Sequence, residues 1–156
     1  MDLKQLYQDI ILEHGKSPRN FGQCEGYNHE AKGYNPLCGD KVHVYLKLDG
    51  EKKVEGLTFE GEGCAISLAS ASIMTELIEG KTFNETKDIM TAFLNMIKNT
   101  SEIQSNYLDE DQKIKLMSLS GVKQFPMRVK CATLSWHTLV SAMEGKKREV
   151  NTEVID

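Results

Sequence analysis

The sequence predicts an α+β fold, in which a small antiparallel sheet of about three strands carries helices packed on one face. Strand-like alternation appears early in the chain, and helical stripes dominate its later part. The strands are not separated by crossover helices, which argues against a parallel sheet. With 156 residues, the chain has the length of about one domain, so we expect one core.

The first predicted element is an amphipathic helix. Asp2 is a suitable N-cap, and Gly15 lies just past the expected end. Apolar side chains recur at helical spacing at Leu3, Leu6, Tyr7, Ile10 and Ile11. Residues 17–20 have loop composition, and a short strand is expected within residues 26–35.

A β-hairpin follows the loop. Residues 42–48 alternate between apolar and polar side chains, which predicts a strand with one buried face. Asp49-Gly50 is a strong turn signal, and residues 54–60 form the expected return strand.

Two helices are predicted after the hairpin. The first covers residues 65–79, starts with unusually small side chains, and ends at Gly80. The second opens on a capping-box pattern at residues 82–85 and continues to about Lys98.

In the remaining chain, the sequence pattern predicts a polar loop over residues 99–112 and a short helix before Gly121. The last helix begins near Pro126 and carries the core residue Trp136. We therefore expect one domain over residues 1–143, followed by a charged, mobile tail at 144–156.

Composition excludes several classes of partner. The formal net charge is −4, which argues against nucleic acid or an anionic membrane as a partner. The sequence has no signal-peptide pattern and no apolar run long enough for a membrane span. We therefore expect a cytoplasmic protein, in which the four cysteines stay reduced and serve metal binding or catalysis.

Three of the cysteines occupy positions that favour the thiolate. Cys38 lies in a tight loop before a strand, Cys64 at a strand-to-helix junction, and Cys131 near a helix start. Asp40 adds a carboxylate two residues after Cys38, although an Asp there also stabilises turns. Together these four residues are a candidate tetrahedral zinc set, whereas Cys24 has no predicted role.

Three motifs around these cysteines resemble a known family. They read N-P-L-C-G-D at residues 35–40, G-E-G-C-A-I-S-L-A-S at 61–70 and R-V-K-C-A-T-L-S-W at 128–136. In this order they resemble the U-type iron–sulfur cluster assembly family, which has the NifU N-terminal/IscU fold. The resemblance extends from the first helix to about Met143.

Two departures are similar to the SufU-type branch of that family. The scaffold type has a His immediately before its third cysteine, where this chain has Lys130. It also has a shorter stretch between its second and third cysteines, and the added length here falls within residues 99–121. The SufU-type branch is a zinc-dependent sulfur acceptor, and so resemblance to it implies a sulfurtransferase rather than a scaffold.

The resemblance also implies roles for single residues. Cys38, Asp40, Cys64 and Cys131 match the Zn²⁺ ligands, and Arg128 matches a basic position beside them. Cys38 matches the acceptor of persulfide sulfur from a SufS-like cysteine desulfurase, whose His would replace Cys38 on zinc. Downstream iron–sulfur assembly proteins would then be further partners.

Two other functions stay open at this stage. The second interpretation is a scaffold that assembles a 2Fe–2S or 4Fe–4S cluster on the same cysteines. The third interpretation is a zinc-stabilised interaction module without transfer chemistry.

Overall fold

The structure is a computed structural model that describes residues 2–99, 102–146 and 148–153. Helices and strands are numbered in chain order. They are α1 (Leu3–Lys16), β1 (His29–Asn35), β2 (Asp40–Leu48), β3 (Val54–Glu62), α2 (Ala65–Ile78), α3 (Phe83–Lys98), α4 (Glu110–Met117), a 3₁₀ helix (Ser120–Gln124), α5 (Pro126–Met143) and β4 (Val150–Asn151).

The strands form one sheet in the order β3-β2-β1-β4. β2 pairs antiparallel with both β1 and β3, as the alternating pattern predicts. β4 adds a short parallel pairing to β1, with Gly33 opposite Val150. The α+β prediction is confirmed, and the sheet gains one two-residue strand beyond the expected three.

The inner face of the sheet is covered by α2 and α5, and α1 packs on α2. Val44, Leu46 and Phe59 project from the strands into the core and are fully buried. The predicted core residue Trp136 of α5 is also fully buried, and its indole N–H donates to Ser70 Oγ of α2 at 3.1 Å. This bond joins the two helices that flank the candidate site.

Gly33 of β1 lets α5 approach the sheet closely. A Cβ at this position would overlap Thr138 Oγ1 and lie 3.0 Å from Leu134 Cδ1, both on α5. Close approach of these elements matters for function, because α5 carries Cys131 and β1 leads into the loop of Cys38.

Two helix starts agree with the predicted caps. Asp2 accepts a hydrogen bond from the N–H of Gln5 at 2.8 Å, and Thr82 and Glu85 form both bonds of a capping box. α1 extends one residue beyond Gly15, and its C-cap is Ser17.

Two segments differ from the sequence prediction. α4 begins inside the expected polar loop, because Asp109 and Gln112 form a capping box at its start. The charged tail expected from residue 144 contains β4, and Thr152 is buried beyond that strand. The strand forms by pairing with β1, a contact that the local sequence does not encode. In the described residues, no helix is long and apolar enough to span a membrane.

Candidate metal centre

The β1–β2 hairpin loop presents the first cysteine. Asn35 and Asp40 pair where the two strands meet, and the Gly39 N–H donates to Asn35 O at 2.8 Å. Gly39 has a φ of 74°, a left-handed conformation that glycine adopts at little cost. This tight turn leaves Cys38 half-buried near its tip, while Asp40 is fully buried.

The β3–α2 junction presents the second cysteine. Cys64 is the N-cap residue of α2, and its backbone N–H donates to Asp40 Oδ1 at 3.0 Å. The preceding Gly63 has a φ of 153°, and a Cβ there would overlap Asp40 Oδ1. The absence of a side chain at Gly63 therefore leaves the space that the Asp40 carboxylate occupies.

The first turns of α5 present the third cysteine. Pro126 is at the first helical position, where its missing N–H leaves no hydrogen bond unmade. Cys131 lies on the buried side of the helix and is fully buried.

These three segments bring the predicted ligands together. One ligand atom each from Cys38, Asp40 and Cys131 lies within 4.8 Å of the other two. Cys64 is not among the residues whose ligand atoms lie within this distance, but its backbone N–H donates to Asp40 Oδ1 at 3.0 Å. Three of the four sequence-predicted ligands therefore have ligand atoms close together, and Cys64 lies beside them.

Cys64 and Cys131 shift each other's thiol pKa in opposite directions. The hydrogen bond from Cys131 lowers the pKa of Cys64 to about 6, because it stabilises the Cys64 thiolate. Backbone N–H groups of Ser67 and Ile66 at the start of α2 act in the same direction, against the effect of burial. The same bond and burial raise the pKa of Cys131. Of the two thiols, Cys64 is therefore the more acidic.

The Asp40 carboxylate is oriented by one donor on each oxygen. Oδ1 accepts from the Cys64 N–H, and Oδ2 accepts from Asn35 Nδ2 at 3.1 Å. A carboxylate has about four lone-pair sites, so each oxygen keeps capacity for a further partner. Asp40 is thus held in one orientation while remaining able to bind a cation.

Asn35 is a functional residue that the sequence analysis does not single out. Its buried Nδ2 also donates to Cys131 Sγ at 3.6 Å, and its Oδ1 accepts from the Thr152 hydroxyl at 3.1 Å. Asn35 is the first residue of the N-P-L-C-G-D motif, which is the only signal that could have pointed to it. No local pattern marks Thr152.

Two basic residues flank Cys131. Arg128 is exposed, and the negative charge of Cys64, followed by a hydrogen bond to Cys131, raises the pKa of its guanidinium. Lys130, at the position of the scaffold type's His, forms an ion pair with Glu153 at 2.9 Å.

Cys24 lies outside this group. A Cβ at Gly56 of β3 would lie 3.1 Å from the Cys24 sulfur, and burial raises the pKa of this thiol.

The donor set matches the coordination chemistry of zinc. Zn²⁺ binds thiolates at about 2.3 Å in a tetrahedron, which separates ligand atoms by roughly 3.8 Å. Because the atoms of Cys38, Asp40 and Cys131 already lie within 4.8 Å, small side-chain movements would bring them to that spacing. Iron–sulfur clusters also bind cysteine thiolates, so the thiols suit either group.

Comparison with known proteins agrees with the motifs. The sequence model of the NifU-like N-terminal domain family matches residues 6–143. The chain is 44% identical over 140 residues to the zinc-dependent sulfurtransferase SufU of Bacillus subtilis, covering 88% of this chain and 89% of SufU. It is 35% identical over 151 residues to the iron–sulfur cluster assembly scaffold protein IscU of Streptococcus pyogenes, covering 97% and 89% of the two chains.

Solved structures share the fold. A crystal structure from Fervidobacterium islandicum AW-1, described as a scaffold protein for the SUF system, superimposes with a TM-score of 0.77 and 37% identity. The match covers 89% of this chain and 97% of that one. The N-terminal NifU-like protein of Brucella abortus superimposes with a TM-score of 0.79 over 91% and 94% of the chains, and at 22% identity it supports the fold alone.

Proposed function

The chain belongs to the NifU-like N-terminal domain family, and from this premise we propose that it is a zinc-dependent sulfurtransferase for iron–sulfur cluster assembly. It would accept persulfide sulfur from a cysteine desulfurase and pass it to downstream assembly proteins. The observation that carries the proposal is the convergence of Cys38, Asp40 and Cys131, with the Cys64 N–H donating to Asp40 Oδ1. The similarity to a relative named as a zinc-dependent sulfurtransferase supports it.

In this proposal Cys38, Asp40, Cys64 and Cys131 hold the zinc ion. Bound Zn²⁺ supplies a redox-silent positive charge that keeps its thiol ligands deprotonated. The buried Asp40 is oriented by two hydrogen bonds, and the exposed Arg128 contributes further positive charge beside the thiols.

Cys38 is the proposed acceptor because of its location. It is half-buried in a four-residue turn between two strands, whereas Cys131 is fully buried in α5. A thiol that must meet a second protein needs such access.

The sulfur transfer needs no added oxidant, because one S–S bond forms as another breaks. The Cys38 thiolate attacks the outer sulfur of the desulfurase persulfide and forms a new S–S bond with it. The S–S bond of the donor persulfide breaks, and the desulfurase cysteine leaves as a thiolate. Cys38 then carries the persulfide.

Exposed apolar side chains support protein docking at this end of the molecule. Leu37 precedes Cys38 and is 52% exposed, and Phe125 and Met127 flank the start of α5 at 59% and 51%. Exposed apolar side chains that are grouped beside a site are a feature of protein-docking surfaces, whereas single ones are ordinary. We place the reaction in the cytoplasm, where thiols stay reduced.

Assembly of an iron–sulfur cluster on the same thiols is the second candidate function. The relatives named as scaffold proteins favour it. Against it stands Lys130, which occupies the position of the scaffold type's His and pairs with Glu153. Protein purified without added metal should contain zinc and be colourless, whereas a brown protein with charge-transfer absorption would favour the scaffold.

Desulfurase turnover tests the acceptor role. With a cysteine desulfurase and cysteine, the wild-type protein should stimulate turnover, and Cys38→Ala should abolish this stimulation. Cys24→Ala is the matched control and should stimulate as well as the wild type, because Cys24 lies outside the metal centre. Undiminished stimulation by Cys38→Ala would refute the acceptor role and favour an interaction module.

A further inference from the structure

The segment after α5 reaches back to the metal centre. β4 pairs in parallel with β1, placing Asn151 opposite Tyr34, next to Asn35. The Thr152 N–H then donates to Tyr34 O at 3.1 Å, which continues the pairing by one residue. Thr152 is only 4% exposed, although it follows a segment rich in charged residues.

A chain of hydrogen bonds runs from this segment to two candidate ligands. The Thr152 hydroxyl donates to Asn35 Oδ1 at 3.1 Å. Asn35 Nδ2 donates in turn to Asp40 Oδ2 at 3.1 Å and to Cys131 Sγ at 3.6 Å. Asn35 and Asp40 are fully buried, so water does not substitute for these partners.

The amide of Asn35 has a donor on one side and an acceptor on the other. Its oxygen accepts from Thr152, and its NH₂ group donates to Asp40 Oδ2 and so faces Asp40. The carbonyl oxygen must then face Thr152, whose hydroxyl is its donor. Loss of that hydroxyl would leave a buried acceptor unpaired, which is unfavourable, and the amide would relax away from Asp40 and Cys131.

A further contact holds the segment beside the site. Lys130 Nζ forms an ion pair with Glu153 Oε2, linking the residue before Cys131 to the residue after Thr152. The pair is partly exposed, so its own contribution to stability is small, and it serves to restrict where the segment lies.

We infer that Thr152, acting through Asn35, is a positioning residue of the metal centre. This inference rests on the proposed function, since it assumes that Asp40 and Cys131 bind a metal ion. Groups that hydrogen-bond to metal ligands typically change metal affinity by 10- to 100-fold when they are removed. A segment at the far end of the sequence therefore sets how firmly the centre holds its ion.

The hydroxyl can be tested separately from the side-chain volume. Thr152→Val keeps the shape and removes the donor, whereas Thr152→Ser keeps the donor and loses a methyl group. Zn²⁺ affinity is measured by competition with a chromogenic chelator. Thr152→Val should raise the dissociation constant about tenfold, and Thr152→Ser should stay close to the wild type. Substitution of Co²⁺ gives a spectroscopic signature, and its ligand-field bands should shift in Thr152→Val alone.

Three outcomes would contradict this inference. Equal Zn²⁺ affinity of Thr152→Val and the wild type overturns the positioning role and leaves the proposed function intact. Equal weakening in Thr152→Ser and Thr152→Val assigns the effect to packing and also overturns it. A wild-type protein that takes up no Zn²⁺ overturns both the inference and the proposed function. Urea unfolding of the metal-free variants identifies any general loss of stability.

Discussion

Gly63 shows how one residue shapes the metal centre. Its φ of 153° disfavours other residues, and a Cβ would enter the space of the Asp40 carboxylate. Asp40 is in turn fixed by the N–H of Cys64, the next residue after Gly63. Glycine at this position therefore allows a ligand from β2 and a ligand from α2 to share one small volume.

Gly63→Ala should displace Asp40 and strain the backbone. We expect the free energy of unfolding of the metal-free protein to fall by about 1–3 kcal/mol, and Zn²⁺ affinity to fall with it. Urea unfolding and chelator competition measure the two effects. Gly50→Ala is the matched control, because a Cβ at Gly50 meets no atom within 4 Å. Wild-type Zn²⁺ affinity in Gly63→Ala would show that Asp40 is not a ligand.

The acidity of Cys64 gives a prediction for pH dependence. Its pKa is lowered to about 6, chiefly by the hydrogen bond from Cys131, while burial raises the pKa of Cys24. A thiol reacts as the thiolate, so alkylation of Cys64 in zinc-free protein should increase as the pH rises through about 6 and level off above it. Alkylation of Cys24 should still be increasing above pH 9. Peptide mass spectrometry separates the two sites, and parallel pH profiles would contradict the assigned hydrogen bond.

At the scale of elements, the junctions between strands and helices place the ligands. The β1–β2 turn, the β3–α2 junction and the start of α5 each contribute a cysteine, and Gly33 sets how closely α5 lies to β1. The unpaired N–H groups at the start of α2 stabilise the thiolate of Cys64. The centre therefore depends on the packing of α5 against the sheet.

Gly33→Ala tests that dependence. The added methyl group would overlap Thr138 Oγ1, so α5 must move away from β1. Overpacking of this kind costs about 1–3 kcal/mol, which urea unfolding would detect. We also expect weaker Zn²⁺ binding, because Cys131 moves with α5. Unchanged stability would mean that Thr138 adjusts by rotation alone and that the close approach is not required.

Most elements were predictable because their signals are local. The alternation in β2, the Asp2 cap and the capping box at Thr82 depend on neighbouring residues, and the structure confirms them. β4 was not predictable, because a two-residue strand has no periodicity and exists only through its pairing with β1. The role of Thr152 was not predictable either, because its hydrogen-bond partner Asn35 lies 117 residues earlier in the chain.

The candidate site was predictable at the level of residue types. Three cysteines at loop and helix starts, together with Asp40, indicate a metal set, and in the structure the ligand atoms of Cys38, Asp40 and Cys131 lie within 4.8 Å of one another. The sequence does not reveal which of these thiols is the more acidic, since the pKa of Cys64 is lowered by its hydrogen bond with Cys131 in the fold. It also does not reveal the hydrogen bonds of Asn35, which need the folded arrangement of β1, β2 and α5.

At the scale of the whole molecule, the chain combines a buried donor set with an accessible hairpin loop. Asp40 and Cys131 are shielded from water, while Cys38 lies near the surface beside the exposed Leu37. This arrangement suits a protein that holds a metal ion firmly and still presents one sulfur to a partner. The net charge of −4 and the exposed apolar side chain of Leu37 in the loop are consistent with a protein partner.

The central claim is that Cys38 receives sulfur from a cysteine desulfurase. The most direct measurement is the mass of the peptide that contains Cys38 after the zinc-loaded protein is incubated with desulfurase and cysteine, with free thiols and persulfides trapped by alkylation. We predict that this peptide gains one sulfur atom and that the peptide containing Cys24 does not. An unchanged Cys38 peptide, or an equal gain at Cys24, would contradict the proposed sulfur transfer.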